Sequence, residues 1–348
     1  MSRHLRPSRV LAVLFLTLAT VGALGLDVRA AGITGSSTSA PRVAGRFRNP
    51  GTEYSYSMLE RTRRLFMGPH RPKPTAGLAT LANDGGYVRS NGHVPSVTWI
   101  GHSTFLVQIG GLNVLTDPHW GEMTSPVSFA GPRRLIRPGI RFEDLPRIDA
   151  VVISHDHYDH LDEGTVLRLA REHRPRFYVP LGVGAWLAER GVDGAIEMDW
   201  WQRREFRGVT FVCTPAQHSS GRYLHDQNKR LWSSWVMHGG GKRLFFAGDT
   251  GYNPALRDIG KLGPFDLVLM PVGGYSGWQR HPNHVSPEEA VQLFEDVGGR
   301  LMVPMHWGTF DLNREPADEP PGRVLAEALR RGIEERMAIL DPGQTINW

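Results

Sequence analysis

Val151-Val152-Ile153-Ser154 runs straight into His155-Asp156-His157-Tyr158-Asp159-His160, so three imidazoles and two carboxylates crowd into six residues behind a short apolar run. That run is a candidate buried strand. Side chains two apart leave a strand end on the same side, so His155 and His157 can converge on one metal ion. Asp159 and His160 lie where the chain turns toward a helix and can face a second. Imidazole and carboxylate suit zinc and related divalent metals. One histidine alone would read as a satisfied core or surface residue. This density, in a chain with 15 histidines, does not.

Around this run, short apolar segments alternate with turn signals. Residues 104–109 and 112–117 flank Gly110-Gly111, a two-residue hairpin turn. Further strands are expected at 209–212, 244–246, 267–270 and 301–304. A helix is expected over 163–173, with Val166, Leu167, Leu169 and Ala170 on its apolar face and Pro175 as its stop. A second opens at Ser286-Pro287-Glu288-Glu289, which supplies an N-cap, a proline at the first helical position and a capping glutamate. A third spans 321–331 and stops at Gly332. Hairpins come first and helices mix in later, which predicts an α/β sandwich of two sheets rather than a doubly wound parallel sheet.

The composition is that of a globular protein: 348 residues, 40% hydrophobic and 22% charged. This excludes a disordered chain and a multi-span membrane protein. One cysteine, Cys213, excludes a disulfide framework and a cysteine-based zinc finger. The net charge of +5 is concentrated at the start, where residues 1–30 hold four arginines and one aspartate. The remainder has 36 basic and 34 acidic residues, with no clustered basic face for nucleic acid. The sequence sets no oligomeric state.

Residues 1–30 have a basic start, a charge-free apolar run over 10–26 and small residues before Ala30, the layout of a secretory signal. Export is expected, to a periplasmic or extracellular location, with cleavage after Ala30 or retention of the run as a membrane anchor. Residues 31–95, rich in Gly, Pro, Ser and Arg, read as linker and extended arm. Ser57-Met58-Leu59-Glu60 opens a helix there that ends at Gly68. Its arginines and apolar residues, Leu65 and Phe66 among them, would permit peripheral membrane contact. The catalytic domain is expected over 96–348.

The His-x-His-x-Asp-His run after a strand resembles the signature of the metallo-β-lactamase superfamily. The resemblance continues in order through Gln217-His218-Ser219, Phe246-Ala247-Gly248-Asp249-Thr250-Gly251 and Pro304-Met305-His306-Trp307-Gly308. Closer phrases narrow the branch. Trp99-Ile100-Gly101-His102-Ser103-Thr104, Thr116-Asp117-Pro118 and His306-Trp307-Gly308-Thr309-Phe310 look like the N-acylphosphatidylethanolamine-hydrolysing phospholipase D-like enzymes, with ascorbate-phosphate lactonase-like enzymes as cousins. The implied fold is a four-layer αβ/βα sandwich of two mixed sheets with outer helices. The implied cofactor is a pair of divalent metal ions, most simply zinc. By the resemblance, His155, His157 and His218 hold one ion, Asp159, His160 and His306 hold the other, and Asp249 bridges them.

Two such ions would make hydroxide available near neutral pH and stabilise charge on a phosphoryl or acyl oxygen. The expected function is a metal-dependent hydrolase of phosphodiesters, with a lipid such as N-acylphosphatidylethanolamine as substrate. A lactonase or other ester hydrolase on the same site is the alternative, and a non-catalytic metal-holding protein a second. Asp249 is the expected holder of the water's proton, and His284 the expected substrate contact or proton donor. Asp117 is a candidate outer partner for a ligating imidazole. His102, His119 and Trp278 are candidate lining residues, with Trp120, Trp307 and Phe129 as further apolar wall.

Overall fold

The computed structural model describes residues 39–51, 80–127, 129–223, 225–275, 282–312 and 315–348. The expected signal at 1–30, the helix opening at Ser57, and Trp278 lie outside these residues.

The hairpin read at Gly110-Gly111 forms, and it lies within a seven-stranded sheet. In chain order its strands are β3 (Ser96–Gly101), β4 (Thr104–Ile109), β5 (Leu112–Thr116), β6 (Ala150–Val152), β7 (Arg176–Pro180) and β8 (Ile196–Met198), and β15 (Thr345–Asn347) joins from the far end of the chain. The sheet order is β15-β3-β4-β5-β6-β7-β8. β3, β4 and β5 pair antiparallel, while β5 to β8 run parallel. A second sheet holds β9 (Arg203–Phe206), β10 (Val209–Thr214), β11 (Ser234–Gly239), β12 (Lys242–Phe246), β13 (Phe265–Pro271) and β14 (Gly299–Met305), in the order β14-β13-β12-β11-β10-β9. Its last three strands in sequence are parallel and the rest antiparallel.

The inner faces of the two sheets share one buried core. Val97, Trp99, Phe105 and Tyr178 from the first meet Phe211, Trp235 and Phe245 from the second. The Tyr178 and Phe211 rings stack across the layers at 4.3 Å. Trp235 Nε1 donates to the Ile153 carbonyl at 2.8 Å, so one buried side chain on β11 ties down the backbone just beyond β6. Two helices, α2 (Glu163–Glu172) and α3 (Val183–Ala188), cover the outer face of the first sheet through Val166, Leu169, Val183 and Trp186. On the other side α4 (Pro287–Asp296) and a 3-10 helix over Pro254–Leu262 bury Ala290, Val291, Phe294, Leu256 and Ile259. α5 (Glu319–Arg331) adds Val324 to the same core. This is the four-layer αβ/βα sandwich.

Capping fixes where two of the helices begin. Asp162 accepts from Thr165 N at the start of α2. Ser286 and Glu289 form the reciprocal capping box that the sequence predicts at α4, with Pro287 in the first turn. All described residues belong to one compact unit over Ser37–Trp348. Within the stretch read as linker and arm, the described part is anchored. A small hairpin, β1 (Arg42–Val43) and β2 (Arg46–Phe47), buries Phe47 in the shared core. A short helix, α1 (Gly86–Ser90), buries Val88.

Candidate metal centre

Strand direction gathers the site. β3, β5, β6, β10, β12 and β14 all run the same way within their sheets, and just past their ends lie His102, Asp117, the 155–160 run, His218, Asp249 and His306. Residues from remote parts of the chain therefore meet at one edge of the sandwich. The backbone there is unusual. His102, Asp117 and His306 have φ of 53°, 34° and 64°. This left-handed conformation costs a non-glycine residue about 1–3 kcal/mol and tends to occur at functional sites. Gly248 reaches φ 57° beside Ser154, where a Cβ would come within 2.6 Å of the serine Cβ. Only glycine lets the chain before Asp249 approach that closely.

The Asp249 carboxylate is the hub. Its Oδ2 lies 3.1 Å from His306 Nε2, 3.2 Å from His160 Nε2, 3.7 Å from His218 Nε2 and 4.0 Å from His155 Nε2. His155, His157 and His218 form one group whose nitrogens could hold an ion together. His155 Nε2 and His218 Nε2 stand 2.8 and 3.2 Å from the same His157 Nδ1. Asp159, His160 and His306 form the second group, and the structure adds His102 to it, its Nε2 3.0 Å from Asp159 Oδ2. The two sets named from the resemblance are thus brought together as two neighbouring clusters with Asp249 between them. His102, read only as a lining residue, stands at ligand distance. Its signal was the Gly101-His102 turn between two strands that pair with each other, which points at an edge without saying which edge.

Outer partners set the imidazole tautomers. His160 Nδ1 donates to Asp117 Oδ2 at 2.7 Å, the role expected of that aspartate. Asp117 also accepts from Ser154 N and Ser154 Oγ at 2.6 and 2.5 Å. Ser154 Oγ in turn lies 2.9 Å from His155 Nδ1. His218 Nδ1 donates to the Asn283 carbonyl at 2.9 Å, which leaves its Nε2 lone pair directed at the cluster.

The electrostatics fit cations. Burial disfavours the imidazolium of His160, yet the Asp249 and Asp159 carboxylates outweigh it and hold its pKa well above the ordinary value. For His306 burial is likewise overcome, chiefly by Asp249, and the pKa rises to about 9. Burial and the His306 charge push His102 down to about 3. Burial would raise Asp249, but His160 and His306 pull it well below the carboxylate range. The buried His160 Nε2, His306 Nε2 and Asp249 Oδ1 make no well-aligned hydrogen bond among the described residues, and the two nitrogens meet carboxylate oxygens only as close ion pairs. Orphaned polar atoms at such depth are costly. Together with three convergent imidazole nitrogens, they match the donor set of a divalent metal centre.

The remaining candidates are placed as follows. His284 Nδ1 lies 3.8 Å from Asp249 Oδ2, at the rim and partly exposed. His119 is buried against Phe310 with ring centroids 4.7 Å apart, and burial lowers its pKa to about 4. Its carbonyl accepts from Arg134 Nη2 at 2.7 Å. Trp120 packs on Phe142 and donates to the Ile140 carbonyl. A small open cleft lies beside the second cluster, with Leu135, Trp307, Phe310 and Leu312 in its wall along with His102 and His306. Phe129 stands exposed on the nearby loop.

This fold and donor set define a metallo-hydrolase, and residues 112–307 match the family described as the beta-lactamase superfamily domain. The chain belongs to that superfamily and, within it, to the N-acylphosphatidylethanolamine-hydrolysing phospholipase D-like branch. It is similar to N-acyl-phosphatidylethanolamine-hydrolyzing phospholipase D 1 of Caenorhabditis elegans, at 41% identity over 240 residues, covering 64% of this chain and 67% of the relative. An uncharacterized protein of Mycobacterium tuberculosis is 42% identical over 341 residues, covering 94% of this chain and 89% of its own length. Among solved structures, Igni18, a metallo hydrolase of Ignicoccus hospitalis, superimposes with a TM-score of 0.57 at 25% identity, over 73% of this chain and 98% of the other.

Proposed function

We propose that the protein is a dinuclear, zinc-dependent phosphodiesterase that cleaves N-acylphosphatidylethanolamine in the manner of a phospholipase D. The observation that carries this is the convergence of two His/Asp clusters on Asp249, in a chain that over 240 residues is 41% identical to an enzyme named for that reaction. His155, His157 and His218 would hold one ion, Asp159, His160 and His306 the other, and Asp249 both. Bound there, such ions supply Lewis acidity and lower the pKa of a nearby water toward about 7.

The chain's own groups then have the following parts. Asp249, held ionised, accepts the hydrogen bond of the attacking water, orients it toward phosphorus and takes its proton as the new phosphorus–oxygen bond forms. The bond from phosphorus to the N-acylethanolamine oxygen breaks. His284, at the rim 3.8 Å from Asp249, is placed to give that oxygen its proton. Phosphatidic acid and N-acylethanolamine are the products. The apolar side of the cleft, Leu135, Trp307, Phe310 and Leu312, suits an acyl chain.

A hydrolysis screen on zinc-loaded protein tests this. Long-chain N-acylphosphatidylethanolamine should give a higher kcat/KM than a short water-soluble lactone or a β-lactam. A preference for the lactone would move the assignment to ester hydrolysis on the same site. No turnover of any ester with both ions bound would favour a non-catalytic metal-holding protein.

A further inference from the structure

The segment 39–51 precedes the stretch that matches the superfamily, yet it reaches the metal centre. We propose that Asn49 is a positioning residue for the cation held by His155, His157 and His218, and that this N-terminal strap is a working part of the site. The proposal rests on the ligand assignment given above.

The Asn49 carboxamide brackets the main chain of His218. Asn49 Oδ1 accepts from His218 N at 2.8 Å, and Asn49 Nδ2 donates to His218 O at 2.9 Å. A neighbouring strand would normally supply this pair of bonds, but β10 has ended four residues earlier, at Thr214. One side chain therefore replaces a strand at the point where the ligand leaves the sheet. The orientation of the amide is settled by its partners, because Trp232 Nε1 also donates to Oδ1, at 3.0 Å. Flipping the group would set its NH2 against two N–H donors. The residue before the ligand is held from the other direction, Gln217 N donating to Thr250 Oγ1 and Gly251 N to Gln217 O. With Asn283 fixing the ring, Asn49 completes the restraint of His218 in both backbone and tautomer.

Asn49 is itself seated by an anchored strap. Phe47 is buried in the core and its N–H donates to the Asn228 carbonyl at 2.8 Å. Arg42 stacks on the Phe47 ring at 3.9 Å. Asn253 Nδ2 donates both to the Pro50 carbonyl and to Gln217 Oε1, joining the strap to the loop that carries His218. Ala40 N donates to Asp199 Oδ1 at 3.0 Å.

The test is a cobalt(II) titration of the metal-free full-length protein, followed by visible absorption and by metal content. Wild type should bind in two steps. In Asn49→Ala one step should weaken by about 10-fold or more, the size typical of losing a partner that orients a ligand, while the other step stays put. Asn49→Asp keeps the accepting oxygen and should recover part of the loss. Asn83 offers a control within the same arm. It makes comparable bonds, to the Gly343 carbonyl and from Gly85 N, neither of them a residue of the cluster. Asn83→Ala should lower Tm and leave both steps unchanged. Two unshifted steps in both Asn49 variants, or equal weakening of both steps, would overturn the proposal and leave Asn49 a general staple. His218→Ala separates the two levels: if it binds cobalt as wild type does, the ligand assignment itself falls.

Discussion

At the scale of single residues, the site is legible where its members are crowded and invisible where they are scattered. His155, His157, Asp159 and His160 sit within six residues, so their side-chain directions follow from one strand end. His218, Asp249 and His306 are single residues after separate strands, and only the resemblance picked them out. Asp249 then earns the central place through geometry, with five imidazole nitrogens within 4.0 Å of one oxygen. Asp249→Ala and His157→Ala should each abolish hydrolysis with circular dichroism unchanged, while His238→Ala, on an exposed strand position, should leave kcat/KM near wild type. Asp117→Asn presents an amide where His160 Nδ1 now donates to a carboxylate. Zinc affinity, measured by competition with a chromophoric chelator, should fall about 10- to 100-fold.

The elements divide in a similar way. Helices with explicit punctuation were readable: the capping box at Ser286 gives α4, and the apolar spacing before Pro175 gives α2. Strands β4, β5, β10, β12, β13 and β14 appear where short apolar runs predict them: β4 with the expected bounds, β5 one residue shorter, and the other four longer by a residue or two at one or both ends; β6 ends at Val152, two residues short of the run at 151–154, and β11 falls where no strand is expected. β7, β8 and α3 were not anticipated. Arg176–Pro180 begins with an arginine and ends with a proline, and six-residue α3 is too short to show a periodicity. Their places are set by the parallel neighbours and the covering layer rather than by local pattern. Between the sheets, Trp235 is the element-level tie. Trp235→Phe keeps most of the buried ring but strands the Ile153 carbonyl, at a cost of about 1–3 kcal/mol, visible as a lower urea midpoint with an unchanged m-value. Because Ile153 lies two residues before His155, the same variant should also release zinc more readily.

On the scale of the whole molecule, the two-sheet sandwich follows from the order of hairpins and helices and the edge that carries the site from the resemblance, but the engagement of the arm follows from neither. Asn49 and His218 are 169 positions apart, and a lone asparagine among Gly, Pro and Arg carries no local pattern. Long-range side-chain-to-backbone bonds of this kind leave no periodicity to read. The leader makes a separate claim. Protein isolated from its native host should begin near Ala31 and lie outside the cytoplasm. N-terminal sequencing checks this, and an intact Met1 in a soluble cytoplasmic fraction would refute export.

The order of strands also settles how copies of the protein can meet. Each of the two large sheets has two rims, and among the described residues none offers a long bare ladder. β8 and β15 are three residues each. β9 presents exposed Arg203, Arg204 and Glu205, which repel a docking strand. The rim at β14 is covered by the chain after α5, where Ala338 N donates to the Met302 carbonyl and Arg336 to the Gly299 and Arg300 carbonyls. Unpaired rims are the usual templates for chain-to-chain zippering, and short, charged or covered ones are the usual defence. Among the described residues the rims therefore give self-association by strand addition no ready template. Assembly through side-chain surfaces is left open, and the histidines lie past strand ends rather than along any of these rims.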